Sequence, residues 1–181
     1  MCYNPAMSKN AKNLKNIVLV GFMGAGKSVV AKNLGAILKR HVVSTDAMIV
    51  EREKRPITDI FKDSGEAYFR GVEKSVVEEV SKKNNLIVDC GGGVVLNQDN
   101  IDNLKKNGVM FYLEVTPDVI YDRVKNEKHR PLLNVPDPKA RIEELLKVRQ
   151  SKYVKAHYTI DTSHKTIKQV VNEILKWVQN D

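Results

Sequence analysis

Cysteine is scarce in this 181-residue chain, which holds only two, and long apolar runs are missing. Cys2 sits in a polar stretch and Cys90 in an apolar one, with no C-x-x-C spacing, so no disulfide framework is expected. A chain of this length suits one domain with a full core, for which neither disulfides nor a structural metal is required. No stretch approaches the roughly eighteen apolar residues of a membrane-spanning helix, and M-C-Y-N-P-A-M-S-K-N-A-K-N at the start lacks the apolar segment of a signal peptide. A cytoplasmic protein with no membrane partner is expected. Acidic residues are also in deficit, 22 against 30 lysines and arginines, for a formal net charge of +8. The excess is scattered through helices, as at Lys147, Lys152 and Lys155, and no aromatic-interleaved basic strand or recognition helix accompanies it. Such a surface attracts small anions, and no nucleic-acid partner is expected.

What the chain does have is a glycine-rich turn between a strand and a helix. Ile17, Val18, Leu19 and Val20 form a largely β-branched apolar run, suited to a strand buried on both faces. The turn spells G-x-x-x-x-G-K-S from Gly21 to Ser28, and its glycines at 21, 24 and 26 let successive N–H groups converge on an anion. From Lys27 onward, Val29, Val30, Ala31, Leu34, Ile37 and Leu38 predict an apolar helix face, and the helix N-terminus adds unpaired N–H groups and partial positive charge. In this motif the lysine reaches the β/γ-phosphates and the serine hydroxyl faces a magnesium ion. The expected ATP-binding residues are therefore Gly24, Ala25, Gly26, Lys27, Ser28 and Val29, with Ser28 also a metal ligand.

His41 to Asp46 predicts a second strand that ends in a carboxylate and passes into a helix, which Asp46 could also cap. Pro56 fits the first position of a short helix stopped by Asp63-Ser64-Gly65; a longer helix follows, with Arg70 near its start and Val72, Val76, Val77 and Val80 apolar. Asn85 to Cys90 predicts a third strand running into Gly91-Gly92-Gly93. Asn97 caps a helix expected to close at Gly108, Val109 to Val115 is a fourth strand, and Thr116-Pro117-Asp118 opens a helix carrying Arg123. From Glu127 to Pro138 the chain has three prolines and no periodicity, the marks of a functional lid. Asp137-Pro138 opens a helix with Ile142, Leu145, Leu146 and Val148 inward, and Arg149 and Tyr153 beyond them. Tyr158 to Asp161 is a fifth strand, and Ile167, Val170, Val171, Ile174, Leu175 and Val178 give the last helix an apolar stripe. Strands alternating with helices imply an α/β fold, a five-stranded parallel sheet flanked by helices in three layers, with ligands outside the carboxyl ends of the strands.

Six separated stretches resemble the shikimate kinase family: G-F-M-G-A-G-K-S at 21–28, T-D at 45–46, G-E-A-Y-F-R at 65–70, the triple glycine at 91–93, R-P-L-L at 130–133 and R-Q-S-K-Y at 149–153. The likeness covers nearly everything from Asn16 onward. It implies the P-loop NTPase architecture, with 1–13 a disordered tail and 14–181 a single kinase domain holding a helical substrate-binding insert at about 46–83 and a lid at about 126–138. It implies magnesium-dependent transfer of the ATP γ-phosphate to the 3-hydroxyl of shikimate, on the route to chorismate and aromatic amino acids, by a monomer whose small-molecule partners are ATP and shikimate. Asp46 would bind the acceptor hydroxyl and act as base, with Lys27 and Arg130 as the other catalytic groups. Arg70 and Arg149 would grip the shikimate carboxylate through paired hydrogen bonds, and Gly91, Gly92 and Gly93 would let the backbone approach its ring. Arg123 would stack on adenine, and Arg130 in the lid would bind ATP and close over the transferring group. Two alternatives stay open at this point: a related kinase acting on gluconate or a nucleoside monophosphate, and a catalytically weak nucleotide-dependent binding protein.

The chain departs from the family pattern at one place. The usual D-T-D or D-S-D reads Ser44-Thr45-Asp46, so the first aspartate, which resembles the one that helps hold magnesium, is a serine. Asp89 stands where the family usually carries a small residue. It is expected to take over part of the magnesium role, unless strand alternation turns it into the sheet packing. D-T-S-H-K-T at 161–166 does not identify the residue that closes the adenine pocket.

Overall fold

β1 (Asn16–Val20) is buried along its whole length, because helices cover both faces of the sheet it centres. The computed structural model describes residues 15–125, 133 and 135–180, without the side chains of 179 and 180. After β1 come α1 (Lys27–Leu38), β2 (His41–Ser44), α2 (Thr45–Glu53), α3 (Ile57–Ser81), β3 (Leu86–Asp89) and α4 (Gln98–Lys106). β4 (Gly108–Glu114), α5 (Pro117–Val124), α6 (Pro138–Tyr153), β5 (Tyr158–Asp161) and α7 (Ile167–Asn180) complete the order. The five strands are all parallel, in the order β2-β3-β1-β4-β5. The expected three-layer architecture is the one observed.

Alternation along β1 supplies both cores. Ile17 and Leu19 join Val30, Ala31 and Leu34 of α1 and Val170, Val171 and Ile174 of α7 on one face. Val18 and Val20 join Ile49 of α2, Val76, Val77 and Val80 of α3 and Ile101 of α4 on the other. Full burial of each such aliphatic side chain contributes about 1.5–3 kcal/mol over leaving it exposed. Because β1 is central, its carboxyl end and the turn that follows it lie between the ends of β3 and β4.

Several local expectations hold. Asn97 caps α4 by accepting from the Asp99 N–H at 2.9 Å, and Asp137 caps α6 by accepting from the Ala140 N–H at 3.0 Å. Gly65 interrupts the helical path of α3 with φ 81° and ψ 169°, where Asp63-Ser64-Gly65 was expected to stop a helix.

Others are corrected. Val29 and Val148 are 50% and 60% exposed, because at about 100° per residue they fall away from the stripes that bury Leu34 and Ile142; Ile37, 55% exposed, stands at the edge of the α1 stripe beside the end of the helix. β2 ends at Ser44, so Asp46 already lies in the first turn of α2, and the cap is Ser44, whose hydroxyl accepts from the Ala47 N–H at 3.3 Å. Pro56 sits just outside α3 in an extended conformation, as its N-cap. Gly108 does not close α4; it opens β4, where a Cβ would come within 2.7 Å of the Leu104 carbonyl oxygen and 2.8 Å of Val18 Cγ2.

Candidate active site

The turn after β1 needs glycine where its backbone turns left-handed, at Gly24 (φ 76°) and at Gly26 (φ 85°), the N-cap of α1. Lys27 Nζ donates to the carbonyls of Gly21 at 3.0 Å and Phe22 at 3.2 Å, so the ammonium is held over the turn. Ala25 is buried and donates its N–H to the Phe22 carbonyl at 3.2 Å, so it contributes the shape of the turn. A cleft of about 450 Å³ opens there, and its walls bring together Gly24, Gly26, Lys27, Ser28, Val29, Asp46, Asp89, Gly92 and Arg123, all expected from the sequence, along with Ser44. Arg123 donates to the carbonyls of Gly24 at 2.9 Å and Thr162 at 3.2 Å, tying the turn after β1 to the loop after β5. These in-plane bonds fix the guanidinium at the rim of the cleft. Arg130 lies outside the described residues, as do residues 1–14 and most of the expected lid. Leu133, from the same R-P-L-L stretch, belongs to the α1-side core with Ile142.

The triple glycine links this cleft to a second group of charges. A Cβ on Gly91 would collide with the Asp46 carboxylate, and one on Gly93 would come within 2.5 Å of Arg70 Nη1. The Gly91 N–H donates to Thr45 Oγ1 at 2.9 Å, and the Tyr153 hydroxyl donates to the Gly92 carbonyl at 2.5 Å. Arg149, 6% exposed, lies 5.5 Å from the Phe22 ring centroid, with a long 3.5 Å contact to the Gly92 carbonyl. Arg70 donates to Glu73 at 2.8 Å and Glu66 at 2.9 Å.

Glu73 is 1% exposed, and burial pushes its carboxyl above the ordinary range; Arg70 pulls it back only in part, and Asp46 adds to the upward push. Burial alone would lower Arg70, but the Glu73 and Glu66 carboxylates outweigh it and the net direction is up. Burial also pushes the Tyr153 hydroxyl up to about 12, against the pull of Arg149 and Arg70, so it remains a donor at neutral pH. The Cys90 thiol is pushed up by burial and then by Asp89, which makes it an unreactive core residue.

The donors around the cleft are oxygens: the exposed Ser28 hydroxyl and, among the described residues, the carboxylates of Asp46 and Asp89. This fits a hard cation such as magnesium, which keeps several waters and binds through one or two carboxylates plus nucleotide phosphates. Among the described residues no group of three or more histidines, cysteines or carboxylates could hold a metal by itself. A second cleft of about 370 Å³ includes Glu114, Glu143 and Asp161 in its walls and none of the expected residues. Its carboxylates would repel phosphate.

The family model described as Shikimate kinase matches residues 23–179. The chain belongs to the shikimate kinase family. It is 44% identical over 163 residues to the shikimate kinase of Caldanaerobacter subterraneus subsp. tengcongensis, an alignment covering 90% of this chain and 95% of that protein. Identity to the shikimate kinase of Thermoanaerobacter pseudethanolicus is 42%, with the same coverage. A solved structure of shikimate kinase from Acinetobacter baumannii in complex with shikimate superposes with a TM-score of 0.88 at 34% identity, covering 92% of this chain and 94% of that one. Membership in the shikimate kinase family makes the chain a phosphotransferase, and it decides against the gluconate and nucleoside monophosphate alternatives.

Three residues around the shikimate kinase motifs were not singled out as site residues by sequence reasoning: Thr45, Glu73 and Tyr153. Glu73 was within reach, since an acid three residues after Arg70 lies on the same helix face. Thr45 lies inside the T-D stretch, but its hydrogen bond to a residue 46 positions away cannot be read from the sequence.

Proposed function

We propose that this family member transfers the ATP γ-phosphoryl group to the 3-hydroxyl of shikimate with its roles divided between the two ends of the triple glycine. Lys27 and the amides of the turn hold the phosphates, and Ser28 holds the metal. Asp46 orients the acceptor hydroxyl and receives its proton. Arg70 and Arg149 bind the shikimate carboxylate, Arg123 packs on adenine, and Arg130 closes over the transferring group. When bound, magnesium supplies charge neutralisation on the β- and γ-phosphates. Phosphoryl transfer passes through a loose transition state, so positioning and charge carry most of the catalysis and a strong base is not needed.

The observation that carries this reading is the position of Asp46. It lines the phosphate cleft with Lys27 and Ser28, yet it also lies against Gly91, two residues from the glycine that holds Arg70 at close range. A small ring bearing a hydroxyl at one end and a carboxylate at the other matches that span. The protein is read as a cytoplasmic monomer. In support of the location, Cys90 is a free, buried thiol.

Release of ADP from magnesium ATP, measured with shikimate, gluconate and nucleoside monophosphates in turn, tests the reading. Stimulation by shikimate alone is expected. Tight ATP binding with no acceptor-dependent turnover would leave the binding-protein alternative in its place.

A further inference from the structure

Among the described residues, two carboxylates line the nucleotide cleft, Asp46 and Asp89. Asp46 is committed to the acceptor side by its contact with Gly91. Asp89 is 8% exposed, and among the described residues its carboxylate makes neither a hydrogen bond nor an ion pair. A buried carboxylate opening into a cleft calls for a positive partner, and one that comes and goes with the nucleotide satisfies this need.

Sheet register says where that carboxylate lies. Asp89 is the Cα partner of Leu19 on one side and of Ser44 on the other. Register partners in a sheet project to the same face, and Leu19 packs on the face covered by α1. Asp89 and Ser44 therefore both sit on the α1 side, at the carboxyl edge of the sheet, beside the first turn of the helix that carries Ser28. The Ser44 hydroxyl is already used, since it caps α2 through the Ala47 N–H. Ser44 adds no charge, so among the described residues the only carboxylate at that level of the sheet stands one strand over, about 4.8 Å away laterally.

We propose that Asp89 is the carboxylate that would anchor the nucleotide-bound magnesium ion in this chain, together with Ser28, in place of a carboxylate at Ser44. An octahedral ion that keeps several waters can be held by a carboxylate through water from either strand. The strand-end aspartate and the P-loop serine are also the two protein groups that hold the ion in P-loop NTPases at large. The inference rests on the use of metal-bound ATP proposed above, but not on shikimate as the acceptor.

The test is manganese binding, followed by electron paramagnetic resonance on the full chain with a non-hydrolysable ATP analogue, for the wild type, Asp89→Asn, and Asp89→Asn combined with Ser44→Asp. Aspartate is as good an N-cap as serine, so the second substitution keeps the start of α2. Asp89→Asn is expected to weaken manganese binding about 10–100-fold, and Ser44→Asp to restore most of it. Affinity for the metal-free analogue, measured by calorimetry, should stay the same or rise in Asp89→Asn, because a charge that repels phosphate is gone; that readout also shows that the variant is folded. Manganese affinity unchanged in Asp89→Asn, or lost together with metal-free analogue binding, would overturn the inference. So would a double variant no better than the single. Absence of shikimate turnover in the wild type, with the expected manganese shifts across the variants, would sink the proposed acceptor and leave Asp89 in place.

Discussion

Arg70 lies against Gly93 so closely that a methyl group there would come within 2.5 Å of Nη1 and 2.7 Å of Nη2. The guanidinium is the far end of a flexible side chain, so Gly93→Ala should displace it without unfolding the protein. Shikimate KM is expected to rise about tenfold, the loss of one charge-assisted hydrogen bond, with ATP KM and the thermal midpoint nearly unchanged. Steady-state kinetics with each substrate varied separately, beside a melting curve, checks this.

Asp46 contacts both the phosphate cleft and Gly91, so its charge should matter to the chemical step more than to folding. Asp46→Asn is expected to lower kcat by about 10²–10⁴-fold while leaving ATP binding intact. The cap of α2 belongs to Ser44, so helix content should not change. Single-turnover measurements with saturating ATP and shikimate separate the chemical step from binding.

Much of this arrangement is legible in the sequence. The β-branched run at 17–20 with its glycine turn specified the central strand, and the six motif stretches named most of the residues that meet in the cleft. Caps at Asn97 and Asp137 were readable because the side chain bonds to backbone two or three residues away. What escaped was set by distant partners. Gly108 looks like a helix stop, yet its lack of a side chain answers Leu104 and Val18. Val29, Ile37 and Val148 are apolar residues beside genuine stripes, and composition alone assigns them inward. Glu73 is an acid on a helix, and its 1% exposure goes with an ion pair to Arg70 that the sequence does not show to be buried.

Tyr153, fully buried and stacked on Tyr112 at 4.8 Å between centroids, fixes the middle of the triple glycine through its 2.5 Å bond to the Gly92 carbonyl. Tyr153→Phe should cost about 0.5–1.5 kcal/mol of stability, the net worth of one hydrogen bond to a part-buried carbonyl that Arg149 also approaches. The folded hydroxyl is raised from 10 to about 12, so its contribution is fully present below pH 10 and is lost as pH rises toward about 12. Denaturant melts of wild type and variant from pH 6 to 9 should therefore show a constant difference.

Glu73 gives the opposite end of the pH scale. Its folded carboxyl is raised above 4.5, first by burial, so its protonated form favours the fold; that stability is present below pH 4.5 and is lost as pH rises through the folded value. Glu73→Gln carries no such loss. The difference in thermal midpoint, variant minus wild type, should become more positive as pH rises through that window. A difference independent of pH would contradict the raised value.

The most direct measurement follows the phosphoryl group itself. ATP labelled in the γ-phosphate is incubated with magnesium, shikimate and the protein, and the products are separated. Label is expected on shikimate as a single phosphomonoester at the 3-hydroxyl, formed in step with ADP. Label appearing only as inorganic phosphate, or remaining on ATP while the nucleotide is tightly bound, would contradict it.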